Sequence, residues 1–323
     1  MKRRFWIWAL VCAALLVGCR QDDADTTDQS DTPVVDAAVQ KAKAYIADSQ
    51  NADGGWPLLP GEESDAETTA FAVWALAEGE GDGSQAAAVQ SGEAYLKAGQ
   101  REDGSWNGNT AHTVFTLIAL SAVDKSESEP RSNAVKWLES AQNGDGSWSR
   151  EPGGEGTLIY TSAVLSGLQK IGYEKEYPPI ARGAKWVLDR PAGDGGWAVQ
   201  PGNLSDNFAT AWAAQALYRV VEIPTQMEWL RCAQNVDGGF GLRKGVMSDP
   251  EITSAAAAAL SLQDWPMIDQ QYALNYLIYI QQKNGSFISA LPVELAEPKQ
   301  NIQTSCFALI AIQTLKAAGA RLP

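Results

Sequence analysis

The sequence predicts an all-α fold in which six helical hairpins close into a ring. The first observation is a short motif that recurs six times and always ends in an aromatic residue. These closing residues are Trp56, Trp106, Trp148, Trp197, Phe240 and Phe287. A period of roughly 45 residues held through about six copies is typical of a repeat architecture. The second observation is that no stretch alternates with the two-residue period of a strand.

Each copy of the motif stands between two helical patterns of different kinds. The pattern before it has apolar residues three and four apart with polar residues between them, which indicates one packed face and one solvent face. The pattern after it is rich in alanine and apolar almost all round, which indicates a buried helix. An Asp-Gly or Asn-Gly turn joins the two. We therefore expect two concentric layers, and the ring should close because no terminal repeat is polar enough to cap an open solenoid.

Composition excludes several classes of function. The chain has 323 residues, of which 45% are hydrophobic, so it can bury a sizeable core in one large or two modest domains. Its formal net charge is −14 and its pI is about 4.6. Such an acidic chain is not expected to bind nucleic acid or to dock on anionic lipid by charge.

Residues 1–18 have the pattern of a targeting segment. Lys2, Arg3 and Arg4 precede an apolar run of signal-peptide length. The run ends in LVGC, which resembles the lipoprotein box of bacteria, in which Cys19 is acylated. The expected protein is therefore anchored in a bacterial cell envelope and contacts the membrane through that lipid. Arg20, the residue after the acylated Cys, fits the sorting of lipoproteins to the outer membrane. An ordinary cleaved signal or an uncleaved anchor is the alternative.

Residues 19–33 are acidic and nearly devoid of large apolar side chains, which predicts a disordered tether, and the toroidal domain is expected over 34–323. Two further cysteines, Cys232 and Cys306, lie in apolar helical patterns. We expect two buried free thiols, with a disulfide as the alternative. No Cys/His cluster is present, so neither a metal nor a cofactor is predicted.

The repeated motifs, beginning with QNADGGW at residues 50–56, resemble the QW-type repeats of the terpene cyclase and protein prenyltransferase superfamily. The resemblance runs from about Val34 to Leu315 and implies an α/α toroid, or α6–α6 barrel, whose cavity opens where the inner helices begin. The motif itself is predicted to be structural. Its Gln amide would bond a neighbouring helix terminus while the aromatic ring covers it. Pro191 replaces Gln in the fourth copy, so that junction must be held differently.

The segment Asp65-Ala66-Glu67-Thr68-Thr69-Ala70 resembles the DxDDTA segment of class II terpene cyclases, in which the middle acid protonates an alkene or epoxide. By position, Asp65 matches the first acid and Glu67 the proton donor, while Thr68 stands in place of the third acid. A carboxylic acid kept neutral by burial suits this chemistry. The alternative is that acids at a helix start interact with the helix dipole.

The zinc chemistry of protein prenyltransferases is not expected. That family holds the metal through an Asp, a Cys and a His at the starts of inner helices. Here the fifth repeat offers Asp249 and Glu251 without a Cys, and the sixth offers Gln303 where the His should stand. A thiolate, imidazole and carboxylate set is therefore absent from the sequence.

If the ring closes, the polar residues at the inner helix starts meet at one mouth, and aromatic residues of the inner helices line the interior. The predicted ligand-binding residues are His112, Tyr160, Asp206, Trp212, Asp249 and Glu251. The predicted lining residues are Trp74, Phe115, Phe208, Trp212 and Phe307.

The first expected function is a lipoprotein that binds a hydrophobic, isoprenoid-like ligand or a partner protein. The alternative is a class II terpene cyclase-type enzyme that uses Glu67 and Asp65. For His112 the alternative is an ordinary satisfied polar residue, and for the ring it is a centre filled by its own side chains.

Overall fold

The computed structural model describes residues 32–78, 83–262, 266–289 and 299–322. The predicted signal peptide, Cys19 and all but the end of the predicted tether lie outside these ranges. The all-α prediction is confirmed, because the described ranges are mostly helical. None of their helices is long and apolar enough to span a membrane.

The helices alternate between an outer and an inner layer. The outer helices are α1 (Thr32–Asp48), α3 (Ala86–Ala98), α5 (Glu129–Ser140), α7 (Pro178–Leu188), α9 (Pro224–Cys232) and α11 (Met267–Ile280). The inner helices are α2 (Ala66–Ala77), α4 (Thr110–Val123), α6 (Leu158–Lys170), α8 (Asn207–Leu217), α10 (Pro250–Ser261) and α12 (Ile302–Ala317). Two short antiparallel strands, β1 (Ile288–Ser289) and β2 (Lys299–Gln300), precede α12.

The predicted difference between the two layers is present in the structure. Outer helix α7 buries Ile180 and Val187 and exposes Arg182 and Lys185. Inner helix α4 is buried at every position from Thr113 to Leu120. Burying one stripe of each outer helix and nearly the whole of each inner helix produces a single continuous core.

The inner helices pack in chain order, and α12 packs against α2, so the ring is closed. Hydrogen bonds across the seam join residues that are far apart in sequence. The Gln313 side-chain amide donates to the Ala75 carbonyl over 3.1 Å, and that of Gln281 donates to the Ala38 carbonyl over 2.9 Å. The backbone N–H of Ile302 donates to the Leu58 carbonyl over 3.0 Å. Closure leaves no terminal hairpin with an uncovered face.

The closing aromatic residue of each motif joins the two helices of its own hairpin. In the third copy, the Trp148 indole N–H donates to the Leu138 carbonyl near the end of α5 over 2.7 Å. The backbone N–H of Trp148 donates to the Thr161 hydroxyl in the first turn of α6 over 3.0 Å. A Thr or Ser accepts the same backbone bond in all six hairpins. These residues are Thr69, Thr113, Thr161, Thr210, Thr253 and Ser305.

The Gln of the motif joins one hairpin to the next, as predicted. The Gln142 side-chain amide donates to the Gly146 carbonyl in its own turn and to the Pro179 carbonyl in the first turn of α7. The turn glycine lies equally close to the next outer helix. A Cβ on Gly146, whose φ is 95°, would lie 2.6 Å from the Arg182 carbonyl oxygen, so only glycine fits there.

The fourth junction differs, as the presence of Pro191 predicts. At Gly195 a Cβ would meet only the Trp229 ring, at 3.5 Å, so the next outer helix approaches less closely. Loop contacts also join the fourth hairpin to the fifth. The Asn207 side-chain amide donates to the Gly241 carbonyl over 2.8 Å, and the Arg243 guanidinium donates to the Ser205 carbonyl over 3.1 Å.

Both cysteines of the toroid are free, but the prediction that both are buried is wrong for one of them. Cys306 is fully buried in α12, where burial raises the pKa of its thiol. Cys232 is exposed because it ends α9 on the solvent side of an outer helix, with its sulfur 3.4 Å from a Glu228 carboxylate oxygen.

Replacing Gln142 with alanine should destabilise the ring at one junction. The Gly146 and Pro179 carbonyls would each lose the hydrogen bond from the Gln142 amide, so we expect the free energy of unfolding to fall by about 1–2 kcal/mol. Chemical denaturation of Gln142→Ala beside Gln90→Ala, an exposed glutamine on α3, measures this. Equal stability of the two variants would show that the amide does not join the repeats.

Candidate active site

The residues that face the lumen can be located by counting from the Thr or Ser that bonds each motif aromatic. Positions on one face of a helix recur at intervals of three and four. On α2, counting from Thr69, these positions are Glu67, Phe71, Trp74 and Glu78. Residues at the same distances from the motif Thr or Ser on the other five inner helices complete four layers across the lumen. We call them the acid layer, which contains Glu67, the ring layer, which contains Phe71, the middle layer, which contains Trp74, and the mouth layer, which contains Glu78.

The ring layer closes the lumen between the acid layer and the other two. Phe71 is completely buried, with its ring centroid 4.4 Å from that of Phe115 and 4.5 Å from that of Phe307. Trp212 adds a fourth ring, with its centroid 6.0 Å from that of Phe115. The remaining positions of this layer are Ala163 and Ala255. Four rings and two methyl groups therefore separate the two ends of the lumen.

A cavity of about 360 Å³ lies on the carboxyl-terminal side of the ring layer. Its floor includes Phe115, Trp212 and Phe307, and its walls are the middle layer. That layer consists of Trp74, Ile118, Ser166, Gln215, Ala258 and Ile310. Four of the five predicted lining aromatics are thereby confirmed. The fifth, Phe208, packs edge-on against Trp212 with 6.2 Å between centroids and does not line the cavity.

The position of this cavity differs from the sequence-based expectation that it opens where the inner helices begin. Among the predicted ligand-binding residues, only Trp212 lines it. His112, Tyr160, Asp206, Asp249 and Glu251 lie at the amino-terminal ends, beyond the ring layer, because their distance from the motif threonine places them there. Neither Asp65 nor Glu67 lines the cavity.

Asp65 caps the amino terminus of α2 rather than facing the lumen. Its carboxylate accepts from the Thr68 backbone N–H over 2.8 Å. The equivalent residue, four before the motif Thr or Ser, is the N-cap in all six hairpins and has the same role. These residues are Asp65, Asn109, Thr157, Asp206, Asp249 and Asn301.

Glu67 lies beside His112, with 3.5 Å between the carboxylate oxygen and Nε2. The Asn107 side-chain nitrogen is 3.1 Å from Nδ1 of the same imidazole. Because an amide nitrogen only donates, Nδ1 is the acceptor, and the proton of a neutral imidazole sits on Nε2, facing Glu67. Burial lowers the pKa of His112, which outweighs the opposing field of Asp65, so the ring is neutral at pH 7.

Glu251 is the second carboxyl of the acid layer and is only 3% exposed. It accepts from the Thr304 hydroxyl on α12 over 2.8 Å. Asp249 accepts from the Ser289 hydroxyl over 2.8 Å in addition to capping α10. Tyr160 is half-buried against the core at the start of α6. The described residues contain no group of three His, Cys, Asp or Glu side chains that could hold a metal ion.

Sequence reasoning missed three charged residues of the mouth layer, namely Glu78, Lys170 and Arg219, all of which line the cavity. Lys170 pairs with Glu78 over 2.7 Å, and its ammonium lies 4.7 Å from the centroid of the Trp74 ring. The Trp74 indole N–H also donates to Glu78. The signal was available: Glu78 continues the lumen-facing register of α2 one turn past its apolar run.

Comparison with known proteins gives the family. A family model described as the prenyltransferase alpha-alpha toroid domain matches residues 2–114, 66–217, 109–288 and 221–319. The chain belongs to this toroid family. The resemblance drawn from the motifs and the α/α toroid fold are therefore both confirmed.

Several known proteins are similar to the chain. It is 29% identical over 180 residues to a drimenyl diphosphate synthase of Streptantibioticus cattleyicolor, a match that covers 49% of this chain and 33% of that protein. A probable squalene–hopene cyclase of Sinorhizobium fredii is also 29% identical over 180 residues, covering 45% and 28%. The chain spans about a third of the length of these curated relatives. The apo structure of type II terpene cyclase MstE from Scytonema has a TM-score of 0.70 at 18% identity, covering 89% of this chain and 99% of that one.

These similarities correct the first of the two functions expected from the sequence. A lipoprotein whose role is to bind a ligand or a partner is wrong as the main function, because the relatives that match in sequence are named drimenyl diphosphate synthase and probable squalene–hopene cyclase. The better supported function is the alternative, and if this toroid is an enzyme it is terpene cyclase-like.

Replacing Asp206 with asparagine should change how stability depends on pH. Burial raises the pKa of Asp206 above 3.8, so its contribution to stability is present below about pH 4 and is lost as pH rises through the folded-state pKa. Asparagine has no such charge and can cap a helix, as Asn109 does. We therefore expect the unfolding free energy of Asp206→Asn, relative to wild type, to increase between about pH 4 and pH 7.

Denaturation of both proteins across this pH range measures the difference. Asp65→Asn, at the equivalent cap on α2, controls for the change of cap chemistry. A difference between Asp206→Asn and wild type that stays constant with pH would contradict the assignment of a buried, destabilised carboxylate at position 206.

Proposed function

We propose that this chain is a class II terpene cyclase-type enzyme that protonates a carbon–carbon double bond or an epoxide of an isoprenoid and so starts ring closure. The observation that carries the proposal is the order of layers along the lumen. A carboxyl paired with a neutral imidazole, a layer of aromatic rings and an apolar cavity follow one another on the inner face of the ring. The relatives named as drimenyl diphosphate synthase and squalene–hopene cyclase support the same reaction class.

Glu67 is the proton donor in this proposal. When its carboxyl carries a proton, the O–H bond breaks as a C–H bond forms at the substrate alkene, leaving a carbocation on the more substituted carbon. The next double bond of the substrate attacks that cation and forms a carbon–carbon bond. The cyclised cation then loses a proton to water, and Glu67 regains a proton from water, so that the product is an isomer of the substrate and the enzyme returns to its starting state.

His112 makes Glu67 a stronger acid. Its Nε2–H faces the carboxylate and stabilises the charge that appears when the proton leaves. The separation of 3.5 Å is slightly longer than a hydrogen bond, and such contacts commonly shorten when substrate binds. The low pKa of His112 keeps its ring neutral, so it does not trap Glu67 in an ion pair at pH 7.

The aromatic rings supply what a carbocation requires. The faces of Phe and Trp rings attract cations without donating a nucleophile, and they exclude the water that would quench the intermediate. Trp74, Phe115, Trp212 and Phe307 all border the cavity. Phe71 lies between Glu67 and the cavity on the same face of α2, so the alkene reaches the acid only when that ring rotates aside.

Glu67→Gln should abolish cyclisation while preserving the fold. An amide cannot supply the proton, and removing a general acid costs about 100-fold or more in rate. The purified chain and the variant would be incubated with squalene, farnesyl diphosphate and geranylgeranyl diphosphate, and the products identified by gas chromatography and mass spectrometry. Glu62→Gln, at an exposed position five residues earlier, is the matched control.

Two outcomes would contradict this assignment. Failure of the wild-type chain to convert any of the three substrates would argue against the enzyme. Full activity in Glu67→Gln, with loss of activity in Glu251→Gln, would show that Glu251 and not Glu67 is the proton donor.

The location of the enzyme is a separate proposal that rests on the sequence of residues 1–33. We propose that Cys19 carries lipid and anchors the toroid to a bacterial membrane through the acidic tether. The basic residues at positions 2–4, the apolar run and the LVGC sequence support it.

Cys19→Ala should move the protein from the membrane fraction to the soluble fraction of a bacterial host. Labelling with an alkyne-modified fatty acid should mark the wild type alone. Cys12→Ala, in the apolar run, is the control. Incorporation of label into Cys19→Ala would contradict acylation at Cys19.

A further inference from the structure

The residue that follows the C-cap of α8 is a non-glycine residue in a left-handed conformation. Arg219 has a φ of 59°. The residues at the same place after α6 and α12 are Gly172 and Gly319, with φ of 104° and 90°. Glycine adopts this conformation freely, whereas other residues pay a conformational cost. Two hairpins of the ring thus show the residue that backbone geometry favours, and the fourth departs from it.

The side chain of Arg219 lines the mouth of the cavity together with Lys170. Glu78 is the one carboxylate among the described residues of the mouth layer, and it already pairs with Lys170. Within the described ranges, Arg219 pairs with no carboxylate, and its guanidinium lies 5.2 Å from the centroid of the Tyr218 ring. Counting only the residues that the structure describes, the mouth layer therefore carries a net charge of about +1 on a chain whose formal charge is −14.

A purely structural role does not account for both cations. A basic residue at the carboxyl end of a helix interacts favourably with the helix dipole, and this explains Lys170 at the end of α6. Arg219 stands beyond the last helical residue, in a strained backbone conformation that glycine would relieve. A strained residue beside a cavity is a reason to look for a function of its side chain.

We propose that Arg219 and Lys170 bind the anionic headgroup, of phosphate type, of an isoprenoid whose chain occupies the cavity. Arginine and lysine are the usual partners of phosphate oxygens, and the aromatic and aliphatic walls below them suit a hydrocarbon chain. The headgroup at the mouth directs the far end of the chain to the ring layer, and so toward Glu67. The isoprenoid part of this inference rests on the proposed function; the anion site rests on Arg219 and Lys170.

Binding can be measured by quenching of tryptophan fluorescence, because Trp74 and Trp212 line the cavity. The probes are farnesyl diphosphate, farnesol and inorganic pyrophosphate, with the full chain as wild type, Arg219→Gly, Arg219→Lys and Glu67→Gln. We expect farnesyl diphosphate to bind wild type about tenfold or more tightly than farnesol does. Arg219→Gly should lose about tenfold in affinity for the diphosphate and none for farnesol, with Arg219→Lys between them.

Arg219→Gly is a useful variant because it should fold at least as well as wild type, since Gly172 and Gly319 have the same conformation. Its thermal unfolding is measured alongside. Unchanged affinity of this variant for farnesyl diphosphate, or equal affinity of wild type for farnesol and the diphosphate, would overturn the headgroup site. Pyrophosphate bound as tightly as farnesyl diphosphate would overturn the isoprenoid part, because the chain would then add nothing.

These results are separable from a failure of the proposed reaction, because quenching reports binding whether or not product forms. We expect Glu67→Gln to bind farnesyl diphosphate as wild type does. Binding that depends on Arg219 in a chain that cyclises nothing would leave the headgroup site standing and remove the enzyme. Cyclisation of squalene alone, without binding of the diphosphate, would support the enzyme and remove the headgroup site.

Discussion

The structure depends on a hydrogen bond between the backbone N–H of each motif aromatic and a hydroxyl in the first turn of the following inner helix. The aromatic residue is simultaneously tied to the preceding outer helix, by an indole N–H in the four tryptophan copies. One buried residue therefore sets the relative height of both helices of a hairpin. Because six hairpins repeat this joint, their inner helices start at the same level and their side chains fall into layers across the lumen.

This joint explains why the fold was predictable and the location of the cavity was not. The recurring threonines were visible in the sequence, and Ser305 occupies the sixth position. Counting from them gives the lumen-facing positions. Counting does not say at which layer side chains fill the lumen. That depends on side-chain volume across the ring, where Phe71, Phe115 and Phe307 meet while Ala163 and Ala255 leave room. The contact between Phe71 and Phe307, which are more than 200 positions apart, has no local sequence signal.

The candidate acids illustrate a second limit of sequence reasoning. Asp65 and Glu67 are two residues apart and look like one motif, but a spacing of two places them on different faces of a helix. Asp65 caps the helix, a role that Asn109 and Thr157 perform in other hairpins. Glu67 faces the lumen beside His112, the only histidine of the chain. The sequence suggested the correct helix end but could not show that these two acids have different roles.

Capping also separates Glu67 and Glu251 from the residues that cap the inner helices. With Asp65 and Asp249 satisfying the amino-terminal N–H groups of α2 and α10, Glu67 and Glu251 are not needed as caps. Both face the lumen, and Glu251 is nearly fully buried. Burying a carboxyl costs free energy unless other groups satisfy it, and the His112 and Thr304 contacts come from neighbouring inner helices. A fold that can place alanine at this layer, as it does at Ala111, retains two carboxyls there, and residues that break a local rule in this way are characteristic of functional sites.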